Sequence, residues 1–238
     1  MNKSIVLLSG GLDSLVSLAY AKDEYNIQLA LTFDYGQRAA KKEIEAAKTI
    51  AEYFNVEHKI IETPWLQEIT ETSLVNTTHD LPVLDSKELD NTELTQNSAK
   101  NVWVPNRNGV FLNIAACFAD SFKQNVILSE QSERENLYII FGANKEEGTT
   151  FPDNTQEFID KINEAFEFST LAKPKVFAPL INLNKTEIVE LAFEIEAPLN
   201  LVRSCYTDEE KHCRKCESCL RLKRALEANG KSFADIWI

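Results

Sequence analysis

Ser9-Gly10-Gly11-Leu12-Asp13-Ser14 decides how this chain folds. An apolar run, Ile5-Val6-Leu7-Leu8, stands before it, and Leu15, Val16, Leu18 and Ala19 follow at helical spacing. Strand, glycine turn and helix together make an anion site. The glycines let backbone approach a phosphate closely, while serine hydroxyls and loop N–H groups donate to it. The helix N-terminus adds a partial positive charge. Asp13 is placed to hold a divalent cation against the phosphates. A Gly-Gly pair alone is usually a plain turn; the serines and the aspartate set this string apart.

The loop lacks the Gly-Lys-Ser/Thr of the kinase-type P-loop. It resembles the pyrophosphatase loop of the ATP-pyrophosphatase superfamily, whose members split ATP between the α and β phosphates. On that resemblance, Leu8, Ser9, Gly10, Gly11, Leu12, Asp13, Ser14, Leu15, Val16, Ser17 and Leu18 form the ATP-binding stretch.

Outward from the loop, apolar runs alternate with helical patterns. Ile27 to Phe33 reads as a second strand, Ala39 to Phe54 as a helix and Val56 to Ile61 as a third strand. Strands alternating with helices predict parallel βαβ units. Residues 62–100 are polar and carry Pro64 and Pro82; they read as a lid or insertion with a short helix at Trp65 to Leu74. An apolar helix spans Val110 to Phe122, and Val126 to Glu135 either extends it or forms a small insertion. Leu137 to Phe141 is a buried-type strand. Phe151-Pro152-Asp153 opens a helix to about Phe168, and Val176 to Ala178 is a last strand. Asn184 caps a helix running to Glu194. The expectation is an α/β, doubly wound, mostly parallel five-stranded sheet of Rossmann-like, HUP-like form over residues 1–203, with a small zinc-binding appendage at 204–238.

That appendage holds Cys205, Cys213, Cys216 and Cys219, spaced C-x7-C-x2-C-x2-C. Four thiolates suit tetrahedral Zn²⁺, and the tight C-x2-C steps let them converge. An iron–sulfur cluster is the runner-up; a disulfide pair or free thiols are the remaining options. Lys211, Arg214, Lys215, Arg221, Lys223 and Arg224 offset the thiolate charge, and His212 is a bystander. The segment from Ser204 to Asn229 has little core of its own and is expected to disorder without zinc. Cys117, on the apolar helix, reads as a core residue.

At 238 residues and 44% hydrophobic, the chain can bury a sizeable core. A net charge of −12 argues against a broad grip on nucleic acid. No run reaches membrane-spanning length. Met1-Asn2-Lys3 leads straight into a strand, without a signal peptide, so a cytoplasmic location is expected.

With both anchors in place, the chain resembles the QueC family, the 7-cyano-7-deazaguanine synthases. The resemblance runs in order through Ser9 to Ser14, Phe33-Asp34-Tyr35-Gly36-Gln37-Arg38, Val104-Pro105-Asn106-Arg107-Asn108, Gly142-Ala143-Asn144, Phe151-Pro152-Asp153, Ala178-Pro179-Leu180, Lys185-Thr186-Glu187-Ile188-Val189 and Ser204-Cys205-Tyr206. It implies ATP-dependent conversion of 7-carboxy-7-deazaguanine and ammonia to the nitrile for queuosine or archaeosine in tRNA. The route runs through an acyl-adenylate and an amide. It also implies Mg²⁺, a homodimer, and catalytic roles for Asp13, Arg38, Arg107 and Lys185, the last three at basic motif positions. Arg107, Asn108, Glu147 and Asp153 would meet the substrate, although Asp153 equally suits the N-cap or first turn of the helix it precedes.

One segment departs from the family. Where the family has Asp-x-Ser-Gly-Tyr-Pro-Asp-Cys-Arg, this chain has Glu147-Gly148-Thr149-Thr150-Phe151-Pro152-Asp153-Asn154-Thr155. The acid is kept, while the tyrosine hydroxyl, cysteine and arginine are gone. Three alternatives follow: a relative that stops at an amide or conjugates a protein, a tRNA-thiolating relative, and a nucleotide-sensing module without catalysis.

Overall fold

The computed structural model describes residues 1–81, 89, 99–127 and 136–237. Its centre is a five-stranded, all-parallel sheet in the order β3-β2-β1-β4-β5. The strands are β1 (Asn2–Leu7), β2 (Tyr25–Asp34), β3 (His58–Glu62), β4 (Leu137–Ile140) and β5 (Lys175–Phe177). Helices cover both faces, so the strands read as continuous apolar runs. Alternate side chains go to opposite cores. Val6, Leu8, Ala30 and Ile140 pack on one face with α1 (Leu12–Ala21), α2 (Ala40–Tyr53) and the later α7 (Lys185–Glu194) and α8 (Glu217–Ala228). Ile5, Leu7, Leu29, Leu31 and Ile139 pack on the other with α4 (Arg107–Ile127) and α6 (Gln156–Ser169). The doubly wound expectation is met.

Three further helices are short: α3 (Trp65–Glu68), α5 (Lys145–Gly148) and α9 (Phe233–Ile236). The helix expected from Trp65 to Leu74 therefore stops after one turn. Even so, Leu66, Thr70, Ser73 and Val75 are buried, and Ser73 bonds the Asn101 carbonyl through both its N–H and its hydroxyl. The described ends of the 62–100 segment thus build a wall on the second core. Residues 82–88 and 90–98 of that segment, and 128–135 of the stretch after α4, lie outside the described residues.

Local signals explain several boundaries. Asn184 caps α7 with a full capping box to Glu187, worth about 1 kcal/mol. The helix expected to open at Phe151-Pro152-Asp153 begins later: Pro152–Asn154 is a 3-10 turn, and Thr155 caps α6 by accepting the Phe158 N–H at 3.2 Å. Asp153 is therefore not the cap and is left to face a cavity. Cys117 is exposed, contrary to expectation. The buried stripe of α4 runs through Leu112, Ala115, Ala116 and Ala119, and Cys117 falls off that stripe.

The cysteine appendage shares the main core. Leu222, Ala225 and Leu226 of α8, with Phe233 of α9, are buried in the same cluster as Leu15, Val16, Ile188 and Val189. The strand order reverses at β1, between β2 and β4. In such sheets a ligand crevice opens beyond the carboxyl ends of the strands at this point.

Candidate active site

Three strand ends meet at that crevice. The loop after β1 is folded by its own serines: the Ser9 N–H donates to Ser14 Oγ at 3.2 Å, and Ser14 Oγ donates to the Gly11 carbonyl at 3.1 Å. Gly10 has φ +81°, and a Cβ there would stand 2.7 Å from the Glu43 carbonyl oxygen, so the position demands glycine. Gly11 caps α1 with no side-chain bond, leaving the first-turn N–H groups to an anion. The end of β4 comes equally close: a Cβ on Gly142 would lie 3.1 Å from the Asp13 carbonyl carbon.

Asp13, on the first turn of α1, meets Lys185 and Glu147. Lys185 Nζ bonds Asp13 Oδ2 and lies 2.8 Å from Glu147 Oε1. One cation is thus shared by two carboxylates in a partly buried place. Burial lifts the Asp13 carboxyl to about 6, opposed by Lys185 and reinforced by Glu147. Glu147 moves the other way: burial pushes it up, but Lys185 and the hydrogen bonds to it bring it below the ordinary range. Burial works against the Lys185 charge, yet the two carboxylates outweigh it and hold its pKa above normal. Glu147 therefore holds its charge more firmly than Asp13.

The sequence-predicted residues gather here unevenly. Asp13, Arg38, Arg107, Glu147, Asp153 and Lys185 line one cavity beside the loop. Asn108 lines an adjoining cavity with Leu8, Thr32, Phe33, Phe111 and Gly142, and accepts the Arg107 Nε–H at 3.3 Å. Phe33 and Phe111 stack there at 3.9 Å, a flat wall that suits an adenine ring. Of the stretch Leu8 to Leu18, only Leu8, Ser9, Gly11, Leu12, Asp13 and Ser14 line either cavity. Leu15, Val16, Ser17 and Leu18 are 0% exposed and lie beneath the loop. Helical periodicity turns them into the core, where they seat the loop rather than touch a ligand.

Arg107 donates to the Tyr35 hydroxyl at 3.1 Å. Burial opposes its charge, but Tyr35, Asp153 and Glu147 raise its pKa. Arg38 donates to the Asn76 carbonyl at 2.7 Å and to that of His79, tying down the wall at 74–79. Trp103 and Phe151 stack with centroids 5.8 Å apart on the same cavity.

Arg203 and Glu43 are among the cavity residues missed from the sequence. Arg203 donates to the Thr207 and Glu209 carbonyls at 2.6 Å, while its own N–H donates to the Gly10 carbonyl. Nothing in the local sequence flags it beyond its place before Ser204-Cys205-Tyr206. Glu43 did leave a signal, being an acid one turn ahead of Ala47 on the inward face of α2.

The cysteine site lies beside the crevice. The sulfurs of Cys205, Cys213, Cys216 and Cys219 all lie within 4.8 Å of one another. N–H groups of Cys213 and Thr207 donate to Cys205 Sγ, and those of Lys215 and Cys216 donate to Cys213 Sγ, at 3.3 to 3.5 Å. These bonds stabilise thiolates, so the set fits a tetrahedral metal. His212 accepts the Ser204 N–H and packs on Trp237, outside the sulfur cluster. Arg221 and Arg224 pair with Glu146.

A second cation site also fits. Asp13 Oδ1 is buried with no hydrogen-bond partner among the described residues, and with Glu147 it offers an all-oxygen set for a hard cation.

Residues 3–230 match the model of the family described as "Queuosine biosynthesis protein QueC". The chain belongs to the QueC family. Its QueC relatives include the 7-cyano-7-deazaguanine synthase of Methanosarcina barkeri, 48% identical over 96% of this chain and 95% of that one. The enzyme of the same name from Pelotomaculum thermopropionicum is 47% identical over 96% and 98%. That of Carboxydothermus hydrogenoformans is 46% identical over 96% and 100%. Among solved structures, the NMN synthetase of Francisella tularensis aligns at 17% identity and a TM-score of 0.46, over 97% of this chain and 78% of that one. All three relatives carry the name of a synthase, an enzyme. Among the described residues, no helix is long and apolar enough to cross a membrane.

Proposed function

We propose that this chain is a 7-cyano-7-deazaguanine synthase that joins ammonia to 7-carboxy-7-deazaguanine at the expense of ATP, releasing AMP and pyrophosphate. One observation carries the reading: the phosphate loop at 9–14 and the variant wall at 147–154 meet in one crevice, with Lys185 between them. ATP would lie with adenine against Phe33 and Phe111 and its β and γ phosphates on Ser9, Ser14 and the first-turn N–H groups of α1. The acceptor would lie between Arg107, Asp153 and the Trp103–Phe151 wall.

The chemistry needs this arrangement because hydroxide is a poor leaving group from a carboxylate. Transfer of AMP to the acceptor makes an acyl-adenylate, which ammonia converts to an amide. A second ATP then activates the amide oxygen, and its departure leaves the nitrile. Lys185 stabilises charge that develops near the α phosphate. Arg107, kept charged by its neighbours, orients a carboxylate. Mg²⁺, held by Asp13 and Glu147, would neutralise the phosphates. Zn²⁺, held by Cys205, Cys213, Cys216 and Cys219, would brace the wall beside the loop.

On this reading residues 1–203 carry the reaction and 204–238 hold the zinc. Ammonia comes free or from a partner, and the enzyme works in the cytoplasm as a homodimer. The test is pyrophosphate release from ATP and Mg²⁺ that requires the carboxy-deazaguanine and stops in Asp13→Ala. Release without acceptor, or an unaffected variant, would refute it.

A further inference from the structure

Amide formation requires a proton acceptor, because ammonia at neutral pH arrives as ammonium and must lose a proton before its lone pair can attack. We infer that Glu43 is the general base that deprotonates ammonium at this site, an inference that rests on the function proposed above. The nucleotide and acceptor cavities share a boundary where the α phosphate and the acceptor carboxylate must meet. The carboxylates lining both cavities are Asp13, Glu43 and Glu147. Lys185 engages Asp13 and Glu147. Glu146 and Glu217, further into the acceptor cavity, are bonded by Arg221. Asp153 lines the acceptor cavity alone. Glu43 stands apart: its carboxylate accepts the Gln37 amide at 2.9 Å and has no cation within bonding distance among the described residues.

Its surroundings suit the task. Arg107 and Arg203 face it and favour the anion, Asp34 disfavours it, and burial, the largest influence, lifts its pKa above the ordinary carboxylate value. A lifted carboxylate is a stronger base than one in water. Its main chain also touches the loop, since the Glu43 carbonyl blocks any side chain at Gly10. The base is thereby held in fixed relation to the phosphate site.

In the step, ammonium gives one proton to Glu43, and the freed lone pair forms the C–N bond to the acyl carbon. The C–O bond to AMP breaks with its electron pair on AMP, which takes the second surplus proton from nitrogen. Amide and AMP remain, and Glu43 releases its proton to water before the next cycle.

Hydroxylamine separates this role from a structural one, because it is already a neutral nucleophile at neutral pH. In Glu43→Gln, the ratio of hydroxamate formation with hydroxylamine to amide and nitrile formation with ammonium should rise ~100-fold. Glu43→Asp should bring back part of the ammonium rate. An unchanged ratio in Glu43→Gln, with both rates falling together or neither falling, overturns the assignment. If the unaltered chain makes no hydroxamate from the carboxy-deazaguanine and ATP, the proposed function itself fails and this inference with it.

Discussion

The Arg203 N–H donates to the Gly10 carbonyl at 2.8 Å, joining the phosphate loop to the segment that enters the cysteine cluster. The Arg203 side chain extends the link by holding the carbonyls of Thr207 and Glu209. A cysteine cluster that looks peripheral in sequence thus braces the glycine loop after β1. Stripping the metal with a chelator should weaken ATP binding at least tenfold, read by titration calorimetry. Hydrogen exchange should rise across residues 204–216, while α8 stays protected because Leu222, Ala225 and Leu226 sit in the main core. Equal loss of protection in α8 would restore the picture of a self-contained appendage.

Lys185 neutralises two carboxylates at once, so its removal leaves two like charges facing each other. Lys185→Met should destabilise the fold by roughly 3 kcal/mol, the low end for breaking a buried pair, because Glu147 keeps a 35% exposed side chain. The rate of adenylation should fall ~100-fold or more, as for the loss of one preorganised charge at a transition state. Denaturant unfolding and pyrophosphate release measure the two effects separately. A stable, fully active variant would remove Lys185 from the mechanism.

Much of this site was legible in the chain. Ser9 to Ser14 announced the strand-turn-helix of the loop because its serines and aspartate set it apart from a plain Gly-Gly turn, and the structure puts β1 before it and α1 after it. The four cysteines announced a cluster because their spacing brings sulfurs together, and the fold gathers them within 4.8 Å. The two cavity faces were less legible. Leu15, Val16, Ser17 and Leu18 belong to the loop's motif in sequence but to the core in space. Arg203 acts through backbone carbonyls, which carry no residue-type signature. Asp153 was ambiguous until Thr155 proved to be the cap of α6. Cys117 misled because an apolar helix longer than its buried stripe still has an outer face.

His58 predicts a pH effect on stability. Its Nε2 lies 2.7 Å from Thr32 Oγ1, whose one proton goes to the Leu8 carbonyl at 2.5 Å, so Nε2 must donate. Burial, with help from Lys48, lowers the His58 pKa below its usual 6.5. The unfolded chain therefore takes up a proton first as pH falls. The stability His58 contributes is full above 6.5 and is lost as pH falls from there through the folded pKa. Urea unfolding at descending pH should show this loss in the unaltered chain and a flatter profile in His58→Gln. Equal slopes would contradict it.

Glu147, Phe151, Asn154 and Thr155 stand where the family pattern has other residues, so the identity of the product tests the account most directly. Mass spectrometry of a reaction containing ATP, Mg²⁺, 7-carboxy-7-deazaguanine and ¹⁵N-ammonia should find the nitrile carrying the heavy nitrogen, with AMP and pyrophosphate as co-products. A reaction that stops at the labelled amide, or one that leaves the carboxylate untouched while ATP is bound, would contradict it.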